Sequence, residues 1–135
     1  MTSASHLAEL EIANPDVVAA WNALEPVVAR CAGSLGAPVA KGDYHVGHSD
    51  DQTVAGADLR DCLDQVESPT SISVTFTGNA GPDARGIELR IMRYRRFKEL
   101  NVQLRVTGPM DVQTLGYFER TRSTLASTID RLNEA

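Results

Sequence analysis

Residues 87 to 106 read IELRIMRYRRFKELNVQLRV, and two alternating patterns in this stretch decide the fold class. Apolar residues alternate with polar ones from Ile87 to Ile91 and again from Leu100 to Val106. This period of two is typical of strands that have one buried face and one solvated face. The charged residues between the two runs suit a short turn. The stretch therefore predicts two antiparallel strands that form a hairpin.

The register of this hairpin is predicted by bringing its apolar residues to one face. Pairing Arg95 with Leu100 does so without a bulge and leaves a turn at Arg96 to Glu99. On the polar face, the same register sets Arg90 directly opposite Arg105. Like charges in this position destabilise a strand pair unless a negative group neutralises them.

A bulged register is the alternative for this hairpin. The unbulged pairing places Arg93 and Arg95 on the core side near the tip, which is unfavourable. A bulge at Ile91-Met92 would instead turn Met92 and Tyr94 inward. We predict the unbulged register, with the tip projecting beyond the core.

Two further segments have strand character. Ile72, Val74 and Phe76 alternate with serine and threonine, which predicts a strand ahead of the hairpin. The segment from Ala37 to Thr53 contains glycine, proline and a polar run, so we predict mainly loop there. A short strand at Tyr44 to Val46 would be the fourth of the sheet.

Helical periodicity precedes these strands. A weak helix is expected at His6 to Ile12, and a stronger one starts at Asn14-Pro15-Asp16, with Asn14 as its cap. The apolar stripe of the second helix continues in phase through Pro26, which requires a kink or a break there. Glycines at 33 and 36 end the helix. Its stripe consists of Val17, Trp21, Leu24, Val28, Cys31 and Leu35.

Two more helices are predicted further along the chain. A short amphipathic helix spans Asp58 to Val66. A long helix follows the cap residue Asp111, with a hydrophobic staple between Met110 and Leu115. Arg122 interrupts its apolar stripe, and we predict that the Arg122 stem lies along apolar surface while the charge reaches solvent. The stripe consists of Leu115, Phe118, Leu125, Ile129 and Leu132.

These elements predict a single α+β domain over residues 1–135. Its antiparallel sheet has three strands, or four with the short segment near Tyr44. The N-terminal helices and the long C-terminal helix pack on one face of the sheet. A length of 135 residues is suited to one domain with one core.

The composition, 42% hydrophobic and 23% charged, is ordinary for a globular protein. No apolar run approaches the twenty or so residues of a membrane-spanning helix, and Met1 to His6 lacks the features of a secretory signal. We therefore expect a cytoplasmic protein that does not associate with membranes. Cys31 and Cys62 are expected to be reduced, buried thiols rather than disulfide partners.

The formal net charge of −5 is unevenly distributed along the chain. Residues 1 to 84 contain 12 acidic and 3 basic side chains, whereas residues 85 to 135 contain 6 acidic and 10 basic ones. We interpret the two halves as parts of one domain that pack against each other. The acidic pI, about 5.1, disfavours nucleic acid as a partner.

The densest cluster of potential metal ligands is the segment 43–51, DYHVGHSDD. On a strand His45 and His48 would point to opposite faces, and Gly42 and Gly47 disfavour a helix that could bring the two imidazoles together. We predict no metal site and no cofactor.

Motifs for nucleophilic catalysis or nucleotide binding do not stand out. There is no Gly-x-Ser-x-Gly elbow, and the carboxylates near Cys62 in the sequence disfavour its thiolate. The glycines at 78, 81 and 86 lead into a strand, unlike those of a phosphate-binding loop. The sequence therefore predicts no catalytic residue, and whether the chain is an enzyme stays open.

The polar face of the hairpin is the predicted binding surface. Arg90, Tyr94, Arg96 and Arg105 share this face, and Tyr94 is its one stacking group. The leading hypothesis is a small non-catalytic module, chaperone-like or adaptor-like, that binds a protein or peptide partner and forms a homodimer. The alternative is a small enzyme, or a binder of an anionic small molecule, that uses this face and the 43–51 segment.

Overall fold

Six strands and three helices make up the part of the chain that the computed structural model describes, which is residues 3–13, 16–33, 43–48, 53–56, 58–66, 69–78, 85–93 and 100–134. In chain order the elements are β1 (Ser3–Ile12), α1 (Val17–Ala32), β2 (Asp43–His48), β3 (Thr53–Gly56), α2 (Leu59–Asp64), β4 (Pro69–Gly78), β5 (Arg85–Arg93), β6 (Leu100–Pro109) and α3 (Val112–Glu134).

The six strands form one antiparallel sheet in the order β1-β6-β5-β4-β2-β3. The predicted combination of helices with an antiparallel sheet is confirmed, but the prediction of three or four strands is wrong. The additional strands are β1, which we predicted as a weak helix, and the hairpin of β2 and β3. β2 lies in the segment predicted mainly as loop and contains the short strand at Tyr44 to Val46 that we offered as a fourth, whereas no strand was predicted at β3.

The error at β1 comes from local propensity. Alanine, leucine and glutamate favour helices and are frequent in residues 6 to 12. In the structure this segment pairs with β6 in an unbroken register that ends with Ile12 opposite Leu100. The two-residue repeat buries Ile12 and leaves Glu9 and Glu11 exposed. Pairing within the sheet therefore overrides a weak local preference.

The hairpin of β2 and β3 extends the sheet beyond β4. Val46 is fully buried and lies opposite Val54. A Cβ at Gly56 would lie 3.1 Å from the Cys62 Sγ, so the glycine allows α2 to pack closely against β3.

The helices cover one face of the sheet, as predicted. α1 packs against β4 and β5, α3 against β1 and β6, and α2 against β2 and β3. No buried side chain of a described strand points to the opposite face. The largest fully buried side chains of the core are Trp21, Ile12, Leu24, Ile72, Ile87, Leu89, Ile91, Leu100, Leu104, Leu125 and Val28.

The start of α1 differs from the prediction, and its end does not. Asp16, not Asn14, caps the helix and accepts a hydrogen bond from the Ala19 N–H at 3.1 Å. The helix runs without interruption through Pro26, which excludes the predicted alternative of a break. Gly33 ends it as predicted. Val17, Trp21, Leu24 and Val28 are buried, Cys31 is half-buried, and Leu35 and Gly36 lie outside the described residues.

The inner face of α3 differs from its predicted stripe at two positions. Leu115 is 43% exposed, so its prediction as an inner residue is wrong. Thr121, not Arg122, lies on the buried side, where its hydroxyl donates to the Tyr117 carbonyl. Arg122 is exposed and pairs with Glu119 at 2.7 Å. The buried residues of α3 are Thr114, Phe118, Thr121, Leu125 and Ile129.

The β5–β6 hairpin has no bulge, as predicted, but its register differs by two residues. Arg93, rather than Arg95, lies opposite Leu100. A shift of two keeps the apolar side chains on one face, so the alternating pattern alone does not distinguish the two registers. The predicted turn at Arg96 to Glu99 lies outside the described residues.

Two smaller predictions concern the cysteines and membranes. Both cysteines are free; Cys62 is buried and Cys31 is half-buried. None of the described helices is long and apolar enough to cross a bilayer.

Candidate functional site

The polar face of the sheet, where we predicted binding, has a different charge arrangement from the one expected. In the observed register Arg90 lies opposite Gln103, and Arg105 lies opposite Glu88. The predicted Arg90–Arg105 pair is therefore wrong, and each arginine has a neutral or an acidic neighbour. The conflict of like charges that suggested an anion or acidic partner at this point does not exist.

β1 makes this face more acidic than the sequence suggested. Its exposed Glu9 and Glu11 lie on the same side of the sheet as the exposed Arg90 and Arg105. The Gln103 amide donates to the Glu9 carboxylate at 3.3 Å, which ties the face of β1 to that of β6. The described part of the face is therefore mixed in charge rather than basic. The other two predicted binding residues, Tyr94 and Arg96, lie outside the described residues.

The outer edge of β1 is the longest open edge of the sheet. β1 has ten residues, whereas β3 at the opposite edge has four. No described strand pairs with the outer side of β1. Proline, lysine and bulges, which commonly protect an edge strand from further pairing, are absent from β1.

The orientation of the β1 backbone follows from a contact with the end of α3. The Asn133 side chain accepts from the Ala13 N–H at 3.0 Å and donates to the Glu11 carbonyl at 3.5 Å. The Glu11 carbonyl therefore points away from β6, and by the two-residue repeat so do the N–H and C=O groups of Leu7 and Glu9. Asn133 occupies the far end of this edge, and along residues 3 to 10 no described strand pairs with it.

Leu7 is the apolar feature of the open edge. Its side chain is 49% exposed and points to the face of the sheet opposite the described helices. On the other face Ala8 and Leu10 are only partly buried against the core. The middle of the open edge therefore exposes apolar surface on both sides of the strand.

A groove lies between α1 and α3 on the helical side of the sheet. Its volume is about 340 Å³, and it is lined by Cys31, Tyr117, Arg120, Thr121, Ser123 and Thr124. The Arg120 guanidinium lies over the Tyr117 ring, 5.1 Å from its centroid. No carboxylate in the described part of the chain pairs with Arg120. The groove therefore combines one oriented positive charge with hydroxyl and thiol groups.

The 43–51 segment, predicted as a polar loop, is partly strand. His45 is exposed on β2, opposite Ala55 on one side and Ser73 on the other. The β2–β4 register shifts between Gly47 and His48. Residues 49–51 lie outside the described residues. Within the described ranges, no three histidine, cysteine or acidic residues are grouped closely enough to hold a metal ion.

A half-buried carboxylate joins α1 to β2. Glu25 accepts hydrogen bonds from the Trp21 indole N–H, at 2.7 Å, and from the Tyr44 hydroxyl. Burial, together with this carboxylate, raises the pKa of Tyr44, so its hydroxyl stays protonated as a donor. Both oxygens of Glu25 are engaged, and the group fixes the position of the hairpin edge relative to α1.

Two other ionisable groups also have structural roles. Burial and the carboxylates of Asp61 and Asp58 raise the pKa of the Cys62 thiol, which confirms the direction expected from the sequence. At the start of α3, hydrogen bonds from Thr114 and the nearby Arg85 guanidinium lower the pKa of Asp111. Neither group is poised for proton transfer near neutral pH.

Arg85 is a buried charge that the sequence reasoning missed. It is 8% exposed, and it donates to Thr114 Oγ1 at 3.2 Å and to Asp111 Oδ2 and Gln113 Oε1 at 3.0 Å each. These contacts fasten the start of β5 to the first turn of α3. A signal for this burial was present in the sequence. Arg85 precedes Ile87 by two residues, and in a strand this spacing points both side chains to the same face, here the core.

Comparison with known proteins gives no assignment. No protein-family model and no curated protein matches the chain. The structure is similar to the crystal structure of Ara h 8.0201, with 9% sequence identity, 95% of each chain covered and a TM-score of 0.45. It is also similar to the protein Mll3558 from Rhizobium loti, with 14% identity, 95% of each chain covered and a TM-score of 0.43. With TM-scores this low, neither likeness bears on the fold or function of this chain.

Proposed function

We propose that the chain is a small non-catalytic module that binds a protein or peptide partner by adding a strand to the outer edge of β1. The observation that carries this proposal is the open edge itself. The backbone N–H and C=O groups that point away from β6 along residues 3 to 10 have no strand beside them in the described structure. Such an edge offers main-chain hydrogen bonds to any extended segment, and Leu7 adds an apolar contact.

The ionisable groups of the structure support a binding role rather than a catalytic one. Glu25 holds Trp21 and Tyr44 in place, and Asp111 caps a helix and pairs with Arg85. The charges of both carboxylates therefore hold neighbouring elements of the fold together. The two free cysteines support a reducing compartment, and we propose the cytoplasm.

A strand-blocking substitution tests the proposal. Leu7→Pro removes an N–H that points away from β6, so the β1–β6 pairing should survive and the open edge should be lost. We expect the tagged variant to melt within a few degrees of the wild type. The wild-type protein is used to capture proteins from its native cell lysate, and mass spectrometry identifies them. We expect Leu7→Pro to capture at least tenfold less of these proteins.

Gln103→Lys on the neighbouring strand is the matched control. It alters the polar face in the row next to Leu7 but leaves the edge of β1 intact. Retained capture by this control, with capture lost in Leu7→Pro, supports strand addition. The opposite pattern would move the binding surface to the face around Arg90 and Arg105 and overturn the edge proposal.

The groove between α1 and α3 favours a second function, the binding of an anionic small molecule. Arg120 is held over Tyr117 with no carboxylate beside it in the described structure, and Ser123 adds a hydroxyl donor. Titration with inorganic phosphate should give saturable NMR shifts at groove residues that Arg120→Ala abolishes. Arg122→Ala, on the same helix but paired with Glu119, should leave them unchanged. Absence of saturable shifts in the wild type would exclude this function for phosphate.

A further inference from the structure

We infer that the strand added to β1 is the β1 of a second copy of this chain, paired antiparallel with Leu7 on the two-fold axis. The inference rests on the proposed use of the β1 edge and adds the identity of the partner. In a two-fold dimer the same edge meets itself, and strands related by such an axis run antiparallel. Two six-stranded sheets would become one continuous sheet.

The register is selected by the outward side chains. With Leu7 opposite its own copy, the exposed leucines contact each other and Glu9 lies opposite Ser5. A shift of two residues sets Leu7 against Glu9, and a further shift sets Glu9 against its own copy. Like charges directly opposite are destabilising, whereas apolar pairs stabilise a sheet. Of these three registers, only the one centred on Leu7 brings the two leucines together. It also places no charged side chain opposite an apolar one.

The helical side of the strand is compatible with the same register. Ala8 lies opposite His6, and Leu10 lies opposite Ala4 of the second copy. These side chains are half-buried in the single chain. Small residues opposite larger ones leave room for the two helical layers to approach, and pairing would remove the remaining apolar surface of Ala8 and Leu10 from water.

Charge and length also agree with a centre at Leu7. Residues 3 to 10 form the open edge because Asn133 occupies the far end, and Leu7 lies near its middle. The two Glu9 carboxylates would be offset by four residues along the strands, roughly 13 Å. This separation exceeds the Debye length of about 8 Å at physiological salt, so repulsion between them is screened.

Cysteine cross-linking tests the register. In a background of Cys31→Ser and Cys62→Ala, Leu7→Cys should form a disulfide-linked dimer under mild oxidation. Facing Cα atoms in an antiparallel pair are about 4.5 to 5.5 Å apart, within the range a disulfide spans.

Ser5→Cys alone should not cross-link, because its copy lies about 13 Å away. A mixture of Ser5→Cys and Glu9→Cys chains should cross-link. Cross-linking of Ser5→Cys alone at an equal rate would overturn the register.

Sedimentation equilibrium tests the partner independently of the cysteines. The wild-type chain should sediment as a dimer at micromolar concentration, and Leu7→Pro as a monomer with an unchanged circular dichroism spectrum. Leu7→Lys serves as a second variant if proline disturbs the fold. A monomeric wild type whose captured proteins are lost in Leu7→Pro would overturn the second copy as partner and leave strand addition standing. A monomeric wild type whose captured proteins survive in Leu7→Pro would overturn both.

Discussion

Gly108 lies where β6 passes beneath Arg85 and the first turn of α3. A Cβ at this position would lie 2.9 Å from both the Arg85 Cγ and the Thr114 Oγ1. Since both neighbours are buried, the added methyl group cannot be accommodated without moving them. Gly108→Ala is expected to lower the free energy of unfolding by about 1 to 3 kcal/mol.

Gly116 provides the control for this substitution. It lies inside α3, and nothing lies within 4 Å of an added Cβ. Gly116→Ala should raise the free energy of unfolding by about 0.5 to 1 kcal/mol, since alanine is the better helix former. Urea midpoints of the two variants measure both effects. Equal effects at the two positions would mean that the Arg85 contacts do not restrict Gly108.

We expect the stability of the protein to depend on pH through Asp111. Hydrogen bonds from Thr114 and the charge of Arg85 lower its pKa in the folded state. Its contribution is therefore complete above the unfolded-state pKa of about 3.9 and is lost as the pH falls through the lower folded-state pKa. Asp111→Asn keeps a capping oxygen and removes the charge. Its deficit in unfolding free energy should be constant from pH 5 to 7 and shrink below about pH 4. A deficit that does not change with pH would contradict this role.

The strands and helices contribute to one core through their inner faces. Leu104 on β6 and Leu125 on α3 are both completely buried. Truncation of either to alanine should cost about 2 to 5 kcal/mol, because the surrounding side chains cannot close the cavity fully. Denaturant midpoints measure the loss. Leu132→Ala, at a half-buried position on α3, should cost less, and a loss below about 1 kcal/mol at both buried sites would contradict the packing described.

The β5–β6 hairpin predicts different effects for its two outward arginines. Arg105 lies opposite Glu88, whereas Arg90 lies opposite the neutral Gln103. Arg105→Ala should therefore lower the free energy of unfolding by up to roughly 1 kcal/mol, and Arg90→Ala should change it less. Thermal melts at low and physiological salt measure the difference. If removing either arginine raised the stability, Arg90 and Arg105 would have to repel each other. The observed register, in which they are not opposite each other, would then be contradicted.

Among the elements, the strongly periodic ones could be predicted from the sequence, including the short helix α2, and the edge strands could not. In the β5–β6 hairpin, β4 and α3, apolar residues recur at strand or helix spacing over five or more residues. These apolar side chains are the ones that the core buries, so the pattern is visible in the sequence. β1 depends on its pairing with β6, which lies far along the sequence, so its local composition describes it poorly. The hairpin register was missed because a shift of two residues leaves every side chain on the same face.

For the molecule as a whole, the class of fold was accessible from the sequence and the location of the interaction surface was not. An open edge exists only once the strand order is known, and that order places β1 outermost. The sequence-based site at Arg90 and Arg105 depended on a register two residues away from the observed one. Binding at Arg90 and Arg105 therefore stays a prediction, now as part of a polar face of mixed charge. The edge at Leu7 could not be predicted, because we interpreted the residues of β1 as a helix.

Metal content is a property of the whole purified chain that can be measured directly. We predict no stoichiometric zinc, iron or manganese in protein purified without a tag. The reason is that His45 points outward from β2, away from the core-facing side chains of its own strand. Elemental analysis checks this expectation. One equivalent of metal that disappears on replacing His45 and His48 would restore the 43–51 segment as a site.

The pairing of β1 with β6 also determines how late in synthesis β1 can meet its native neighbour. When residue 12 leaves the ribosome, residue 100, which it faces in the sheet, has not been synthesised. At the usual 5 to 20 residues per second, β1 waits roughly 4 to 18 seconds for its native neighbour. Throughout that interval both edges of β1 are open. Nascent chains on neighbouring ribosomes of one message therefore meet with this strand exposed, and a premature contact between two copies can form before either sheet is complete.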